Sequence, residues 1–481
     1  MPIPLVSVSE MRRWEAITWA TGQTEASVID RVGAAVATHL IRLTRPDARV
    51  LILAGRGNNG ADARAAARHL EPFREVITLN VEAPKQAMGS LKKKLAAIQP
   101  GRDWIVDGLF GTGLNRPLDQ DWRKLMELIN RCNAPIAAID EPSGLNADTG
   151  KPWGAALRAA VTLTVGAPKI GLVTTAAAEW VGRLEVLGNV GLTGPFPRVK
   201  SRMEWVIPRD FAGFPPRRTA ASHKGSYGHV VIAAGSLGYH GAAVLSARGA
   251  LRARPGLVTV VTDQAVYTPV ASQVQAAMVH PWNEDWVVPE SCTAIVAGPG
   301  LASSTLAPGL QDQIVFWWTN SPLPMLVDAS ALDWLPRGRI KSKALRVMTP
   351  HPGEAARLLG RPSAMVQRDR PSAVSALSRR FGGSLVVLKG HQTVIGPRLK
   401  RLLVNGSGNP GLAQGGSGDL LAGYLGGLLA QPQMQIDPLQ TVAYGVWRHG
   451  AAADFLDRRG LAWTVEDLSV ALGEQDGVLD S

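Results

Sequence analysis

The stretch Gly408-Asn-Pro-Gly-Leu-Ala-Gln-Gly-Gly-Ser-Gly-Asp419, running straight into Leu420-Leu-Ala-Gly-Tyr-Leu-Gly-Gly-Leu-Leu429, governs the reading of this chain. A glycine-rich turn followed by an apolar helix presents free backbone N–H groups at a helix N-terminus, a geometry that binds anions such as phosphate. Asp419, in the first helical turn, sits beside that anion and can accept a proton from a hydroxyl that attacks phosphorus. Alone, these residues also fit a packing turn with a helix-capping Asp. Three other stretches weigh against that. Gly298-Pro-Gly300 follows the apolar run 295–297. Thr349-Pro-His-Pro-Gly-Glu354 follows the run 346–348 and places His351 in a rigid loop. Val386-Val-Leu-Lys-Gly-His-Gln-Thr393 sets Lys389 just after another apolar run. Such runs read as buried strands, and ligands in open α/β sheets bind beyond the strands' carboxyl ends. One convergent site is therefore expected.

Outward from there, strand-like and helical segments alternate. In the second half the runs are 229–235, 256–261, 294–297, 324–328, 346–348 and 385–388. In the first half a helical stretch, 8–43, precedes a strand at 49–54, a loop at 55–60 and a helix at 61–70. Further strands follow at 75–79, 104–106, 136–139 and 161–165. This alternation predicts parallel, doubly wound sheets. A proline-rich seam at 194–218, with Gly194-Pro-Phe-Pro197 and Pro215-Pro216, separates the halves. No repeat relates them, so two different α/β domains are expected, 1–205 and 206–481.

Composition narrows the class. Hydrophobic content of 46% with 19% charged residues is that of a soluble globular protein. The 51 basic residues outnumber the 39 acidic ones, giving +12, but they are scattered, with only short clusters such as Lys92-Lys93-Lys94. That argues for an anionic small molecule and against nucleic acid. Cys132 and Cys292 are the only cysteines, which gives no disulfide framework and suggests a reducing compartment. No apolar run approaches the ~18–20 residues needed to span a bilayer, and residues 1–20 lack a signal-peptide core. A cytoplasmic protein without membrane partners is expected.

The first half carries its own constellation. Gly57-Asn-Asn-Gly-Ala-Asp62 follows one strand, Val106-Asp-Gly-Leu-Phe-Gly-Thr-Gly-Leu-Asn-Arg116 a second, and Asp140-Glu-Pro-Ser-Gly144 a third. Asn side chains tolerate tight turns and offer both donors and acceptors. Each segment alone reads as a turn; all three at strand ends point to one site for a phosphate or a cation's oxygen shell.

The second half resembles the ribokinase-like NAD(P)H-hydrate dehydratases. It has His223-Lys-Gly-Ser-Tyr-Gly228, Gly235-Ser236, Gly241-Ala-Ala243 and the Gly-Pro-Gly, His-Pro-Gly-Glu, Leu-Lys-Gly and Asn-Pro-Gly…Gly-Asp elements in order. The first half resembles the NAD(P)H-hydrate epimerases, Rossmann-like in fold, and shares their later Ala167-Pro-Lys-Ile-Gly171. For the dehydratase half, the resemblance implies that Asp419 is the catalytic base and contacts substrate. Gly418, with the Ser417 turn, forms the anion hole. Lys389, Gly390, His391, Gln392 and Thr393 line the adenine nucleotide, and Ala243, Gly300 and His351 face the hydrated nicotinamide. The implied reaction is phosphorylation of the ring hydroxyl of the S form by ADP or ATP with Mg2+, then loss of phosphate, releasing AMP or ADP.

For the epimerase half, it implies hydrate binding by Asn58, Asn59, Gly60, Ala61, Asp62, Gly111, Thr112, Gly113, Leu114, Asn115, Arg116, Pro117 and Asp140. Asp140 is the acid/base that equilibrates the R and S epimers, and K+ is held by Asn59, Asp107 and Ser143. The substrates implied are NADH-hydrate and NADPH-hydrate, and the fold class suggests a homo-oligomer. Departures are Ser417 for Thr, the bulkier His391 and Gln392, Ala302 for Gly, and Ala61 and Ala63 where glycines are usual. A methyl at Ala61 is expected to crowd a ligand that approaches the backbone. The alternatives are a ribokinase-like small-molecule kinase, or an active dehydratase with a non-catalytic N-terminal binding module.

Overall fold

The computed structural model describes residues 1–398, 401–460 and 462–474. The chain divides into two compact units, Ile3–Arg202 and the chain from Met203 onward together with Met1–Pro2. The expected boundary at 205/206 would cut the strand Met203–Val206, which pairs in parallel with Leu402–Asn405; the division therefore falls ahead of that strand.

In the first unit the expected helical stretch 8–43 is two helices, α1 (Val8–Ala20) and α2 (Glu25–Leu43). Gly22, at φ +88°, turns the chain, and the Thr24 hydroxyl then accepts from Ser27 N at 3.2 Å to start the second helix. Such a threonine N-cap stabilises a helix by about 1 kcal/mol. The strands are β1 (Arg49–Ala54), β2 (Glu75–Asn80), β3 (Trp104–Gly108), β4 (Ile136–Ile139), β5 (Val161–Val165) and β6 (Arg183–Leu187). They form one parallel sheet in the order β2-β1-β3-β4-β5-β6.

Side-chain alternation explains why β1 reads as a continuous apolar run. Val50, Ile52 and Ala54 pack on one face against α2 and α3 (Asn58–Leu70). Leu51 and Leu53 pack on the other against α4 (Pro84–Ala97) and α5 (Gln120–Asn130). A parallel strand covered on both faces needs apolar residues at every position. The strand order reverses between β1 and β3, which opens a crevice at their carboxyl ends.

The second unit has β7 (Met203–Val206), β8 (His229–Ala233), β9 (Leu257–Thr262), β10 (Met278–Pro281) and β11 (Ala294–Ala297). It continues with β12 (Met325–Val327), β13 (Arg346–Met348), β14 (Leu385–Leu388), β15 (Thr393–Gly396) and β16 (Leu402–Asn405). They run β7-β16-β15-β14-β13-β12-β11-β8-β9-β10. The pairs from β14 to β10 are parallel, whereas β14, β15 and β16 are antiparallel neighbours. Val230 and Ile232 face a core that includes α6 (His240–Ala253), and Val231 and Ala233 face one that includes α7 (Pro308–Asn320). Among the described residues no helix is long and apolar enough to cross a membrane.

Candidate active sites

In the second unit, four adjacent parallel strands, β11, β12, β13 and β14, deliver their carboxyl ends side by side. Ala297 pairs with Val327, Val327 with Met348, and Met348 with Val386. The residues that follow them are Gly298-Pro-Gly300, Asp328, Thr349-Pro-His351 and Lys389. Opposite lies α9, the helix Ser417–Leu429, preceded in chain order by α8 (Pro352–Leu359). Gly416 enters α9 at φ +92°, and Asp419 lies in its first turn, where amides have no intrahelical partner.

Asp419 is half-buried. Burial, then Asp328 and Glu354, raise its carboxyl to about 6 against the pull of Lys389. Lys389 Nζ donates to Asp328 Oδ1 at 2.7 Å. Burial presses its ammonium toward neutrality, but Asp328, Glu354 and Asp419 outweigh burial and hold it above the ordinary lysine range. A methyl built on Gly418 would lie 3.3 Å from Lys389 Nζ. Lys389 thus points at the Gly418 turn.

His351 N-caps α8. Gly353 N and Glu354 N donate to its Nδ1 at 3.0 and 3.3 Å, and Glu354 Oε2 accepts from His351 N at 2.8 Å. His351 Nε2 lies 3.5 Å from Glu354 Oε1, and the side chain is 52% exposed. The segment Lys389-Gly-His-Gln392 is the turn between β14 and antiparallel β15, with Gly390 at φ +129° and Gln392 at +52°. Thr393 Oγ1 donates to Gly390 O at 3.0 Å, and buried Arg370 donates to Leu388 O and Lys389 O from beneath. Ala243 is fully buried, its methyl under the Gly235 loop, and Ala242 is the helix residue packed against Gly300. Asp328 went unremarked in the sequence because one Asp after a short strand has no distinguishing signal.

In the first unit the crevice between β1 and β3 holds two adjoining clefts. One, of about 310 Å³, is lined by Glu15, Glu25, Asn58, Asn59, Asp62, Gly111, Thr112, Gly113 and Asp140. The other, of about 370 Å³, takes Gly113, Leu114, Asn115 and Arg116. The glycine loop passes from one to the other at Gly113; Pro117 and Ala61 line neither. Ala61 lies within α3, its amide donating to Gly57 O at 3.0 Å, so its methyl is accommodated as an ordinary helical residue. Gly60 is different: a methyl there would sit 1.9 Å from Gly55 O.

Asp62 is pushed up to about 8 by burial, then by Asp140, Glu15 and Glu25. Asp140, in a left-handed conformation at φ +65°, accepts from Val165 N at 3.1 Å and ion-pairs with Lys169. Lys169 is fully buried and also donates to Thr164 Oγ1 and Val165 O, each at 3.1 Å. It lies in the quoted Ala167-Pro-Lys-Ile-Gly171 motif, yet nothing in the sequence shows that it returns to Asp140. Beneath the clefts, Asp107 accepts from Ser143 Oγ at 2.6 Å, Ser143 N at 2.8 Å and Leu109 N at 3.1 Å. Burial still raises it to about 6. Asn59 Nδ2 donates to Phe110 O at 2.8 Å, and among the described residues its buried Oδ1 has no hydrogen-bond partner. Reversing the amide would set oxygen against oxygen, which fixes this orientation.

The two sites define a class: a Rossmann-like unit with a carboxylate-lined cleft, joined to a ribokinase-like unit with a glycine-rich turn at a helix N-terminus. Residues 230–472 match the NAD(P)H-hydrate dehydratase family and residues 25–171 the YjeF-related protein N-terminus. The chain is 33% identical to the bifunctional NAD(P)H-hydrate repair enzyme of Gloeobacter violaceus, over 98% of this chain and 96% of that one. It is 35% identical to that of Escherichia coli, over 91% and 86%. Among solved structures it is similar to the ADP/ATP-dependent NAD(P)H-hydrate dehydratase of Bacillus subtilis, co-crystallised with ATP/Mg2+. That match has 30% identity and a TM-score of 0.50, and covers 55% of this chain and 95% of that one. The chain belongs to the family of bifunctional NAD(P)H-hydrate repair enzymes.

Proposed function

We propose that the chain repairs hydrated NADH and NADPH in two steps: the first unit interconverts the R and S hydrates, and the second dehydrates the S form with ADP or ATP. The observation that carries this reading is the half-buried Asp419 at the N-terminus of α9, with Lys389 against the same turn. Asp419 takes the proton of the ring hydroxyl as that oxygen attacks the terminal phosphorus and the phosphoanhydride bond breaks, releasing AMP from ADP or ADP from ATP. The first-turn amides and Lys389 take up the charge on the transferred group. Phosphate then leaves the ring carbon as the neighbouring carbon loses a proton, which restores the dihydropyridine. Mg2+ would enter on the nucleotide's phosphates rather than in a dedicated protein cage; among the described residues no group of three His, Cys, Asp or Glu could hold a metal ion.

In the first unit, inverting a carbon that bears both a hydroxyl and a ring nitrogen requires one carbon–heteroatom bond to break and re-form. Asp140, fixed by Lys169 and open to the cleft, moves the proton that this needs. The orphan Oδ1 of Asn59 and the buried Asp107–Ser143 pair suit K+, a hard cation that supplies positive charge beside the substrate phosphates. Full-length protein carrying Asp419→Asn is expected to lose dehydration while still interconverting the epimers. Loss of both activities, or of neither, contradicts the assignment.

A further inference from the structure

Asp328 directly follows β12 and is 2% exposed. Its backbone amide donates to Ala297 O at 3.0 Å, which locks the residue to the neighbouring strand. Its Oδ1 takes the Lys389 ammonium at 2.7 Å, and a methyl built on Gly418 would lie 3.8 Å from its Oδ2. The lysine's main chain is equally fixed: Lys389 N donates to Pro350 O at 2.9 Å, and Lys389 O accepts from Arg370 Nη2 at 3.2 Å. A rigid backbone and a rigid carboxylate therefore hold both ends of a flexible four-carbon stem.

Two carboxylates compete for that one ammonium. Lys389 acts electrostatically on Asp419 as well as on Asp328, and Glu354 acts on both Lys389 and Asp419. Were Lys389 to pair with Asp419, it would block the oxygen that must accept the substrate proton. We propose that Lys389 is the charge partner of the transferred phosphoryl group, and that Asp328 is a positioning residue that holds the ammonium against the Gly418 turn and away from Asp419. This rests on the dehydratase reading above. The charged and titratable groups that bear on the pair and on the base are Asp328, Glu354, Asp419, Lys389 and His449.

The test uses full-length protein and hydrated NADH with ADP or ATP, following the near-ultraviolet absorbance of reduced nicotinamide. Asp328→Asn, Lys389→Gln and the double variant are compared. Asp328→Asn is expected to lower kcat about 100-fold or more, with nucleotide KM within about threefold, the size of effect seen when a donor to developing charge is lost. Loss of the Asp328 charge by itself lowers the Asp419 carboxyl; with Lys389 also swinging to Asp419, the acid limb of the pH profile moves to lower pH by more than the same substitution moves it in the Lys389→Gln background, an excess that a merely structural role would not produce. The double variant is expected to be no slower than Lys389→Gln alone, because Asp328 acts through the lysine.

An unchanged kcat, a raised KM at unchanged kcat, an acid limb that moves no further than in the Lys389→Gln background, or multiplicative losses in the double variant would overturn the proposal. If Asp328→Asn fails to fold, the double variant removes both buried charges, and its comparison with Lys389→Gln decides. A wild-type protein inert in the same assay would defeat the dehydratase reading itself, which is a separate result.

Discussion

Lys169→Met probes the least expected feature of the first unit. Lys169 Nζ contacts the Asp140 carboxylate, Thr164 Oγ1 and Val165 O, and the side chain is fully buried, while Asp140 is only 14% exposed. Methionine fills the stem's volume but leaves a nearly buried carboxylate with Val165 N and no countercharge, and takes the ammonium from Val165 O. Breaking a buried ion pair from one side costs about 3–5 kcal/mol, and the carbonyl's loss is part of that figure rather than an addition. In a unit of roughly 200 residues each kcal/mol moves the melting midpoint by about 2–4 °C, so the drop is about 6–20 °C. Calorimetry of the full-length protein should show this in the first unit's transition while the second unit's stays in place. Dehydration of the S hydrate should persist and epimerisation should be lost. Asp140→Asn with Lys169→Met should recover part of the lost stability, since no buried charge then lacks a partner. A single variant that melts within about 2 °C of wild type, or a double variant that loses the sum of both effects, would refute the reasoning.

Other outcomes follow from the same geometry. Asp419 works as a base only when ionised, and its carboxyl is raised to about 6 by burial and Asp328. Dehydration should therefore fall about tenfold per pH unit below that value, as a pH–rate profile would show. Asp62 is raised to about 8, so the native state binds this proton more tightly than the unfolded chain does. Its stabilising contribution is complete below the ordinary aspartate range and lost as pH rises through about 8; the first unit's melting temperature should decline toward pH 9, read by calorimetry. Gly60→Ala forces a methyl to within 1.9 Å of Gly55 O, whereas Gly57 has open space around it. The first substitution should cost about 1–3 kcal/mol and the epimerase activity, and Gly57→Ala little of either, by melting and by turnover.

The buried strands were legible because parallel sheets covered on both faces demand apolar residues at every position, as β1 and β8 show. The glycine-rich turn ahead of α9 was legible for a related reason: glycines carry backbone geometry in their identities, as Gly416 does at φ +92°. What stayed hidden was pairing across sequence distance. Lys169 reaches back to Asp140 over 29 positions, Lys389 to Asp328 over 61, and Glu15 and Glu25 enter the first cleft from helices that show no sign of it. The strands β15 and β16 were missed because the turn 389–392 was read as part of a ligand loop rather than as the corner of an antiparallel pair. Ala61, expected to crowd the ligand, sits inside α3, because the helix begins at Asn58 rather than at Ala61.

The central claim, that one chain carries both steps, is tested most directly with purified R-hydrate of NADH as the only substrate, together with full-length protein, ADP or ATP, Mg2+ and K+. The account predicts complete recovery of reduced-nicotinamide absorbance at a rate that added epimerase does not raise above the S-hydrate rate. Recovery that depends on added epimerase, or no recovery from either epimer, would contradict it.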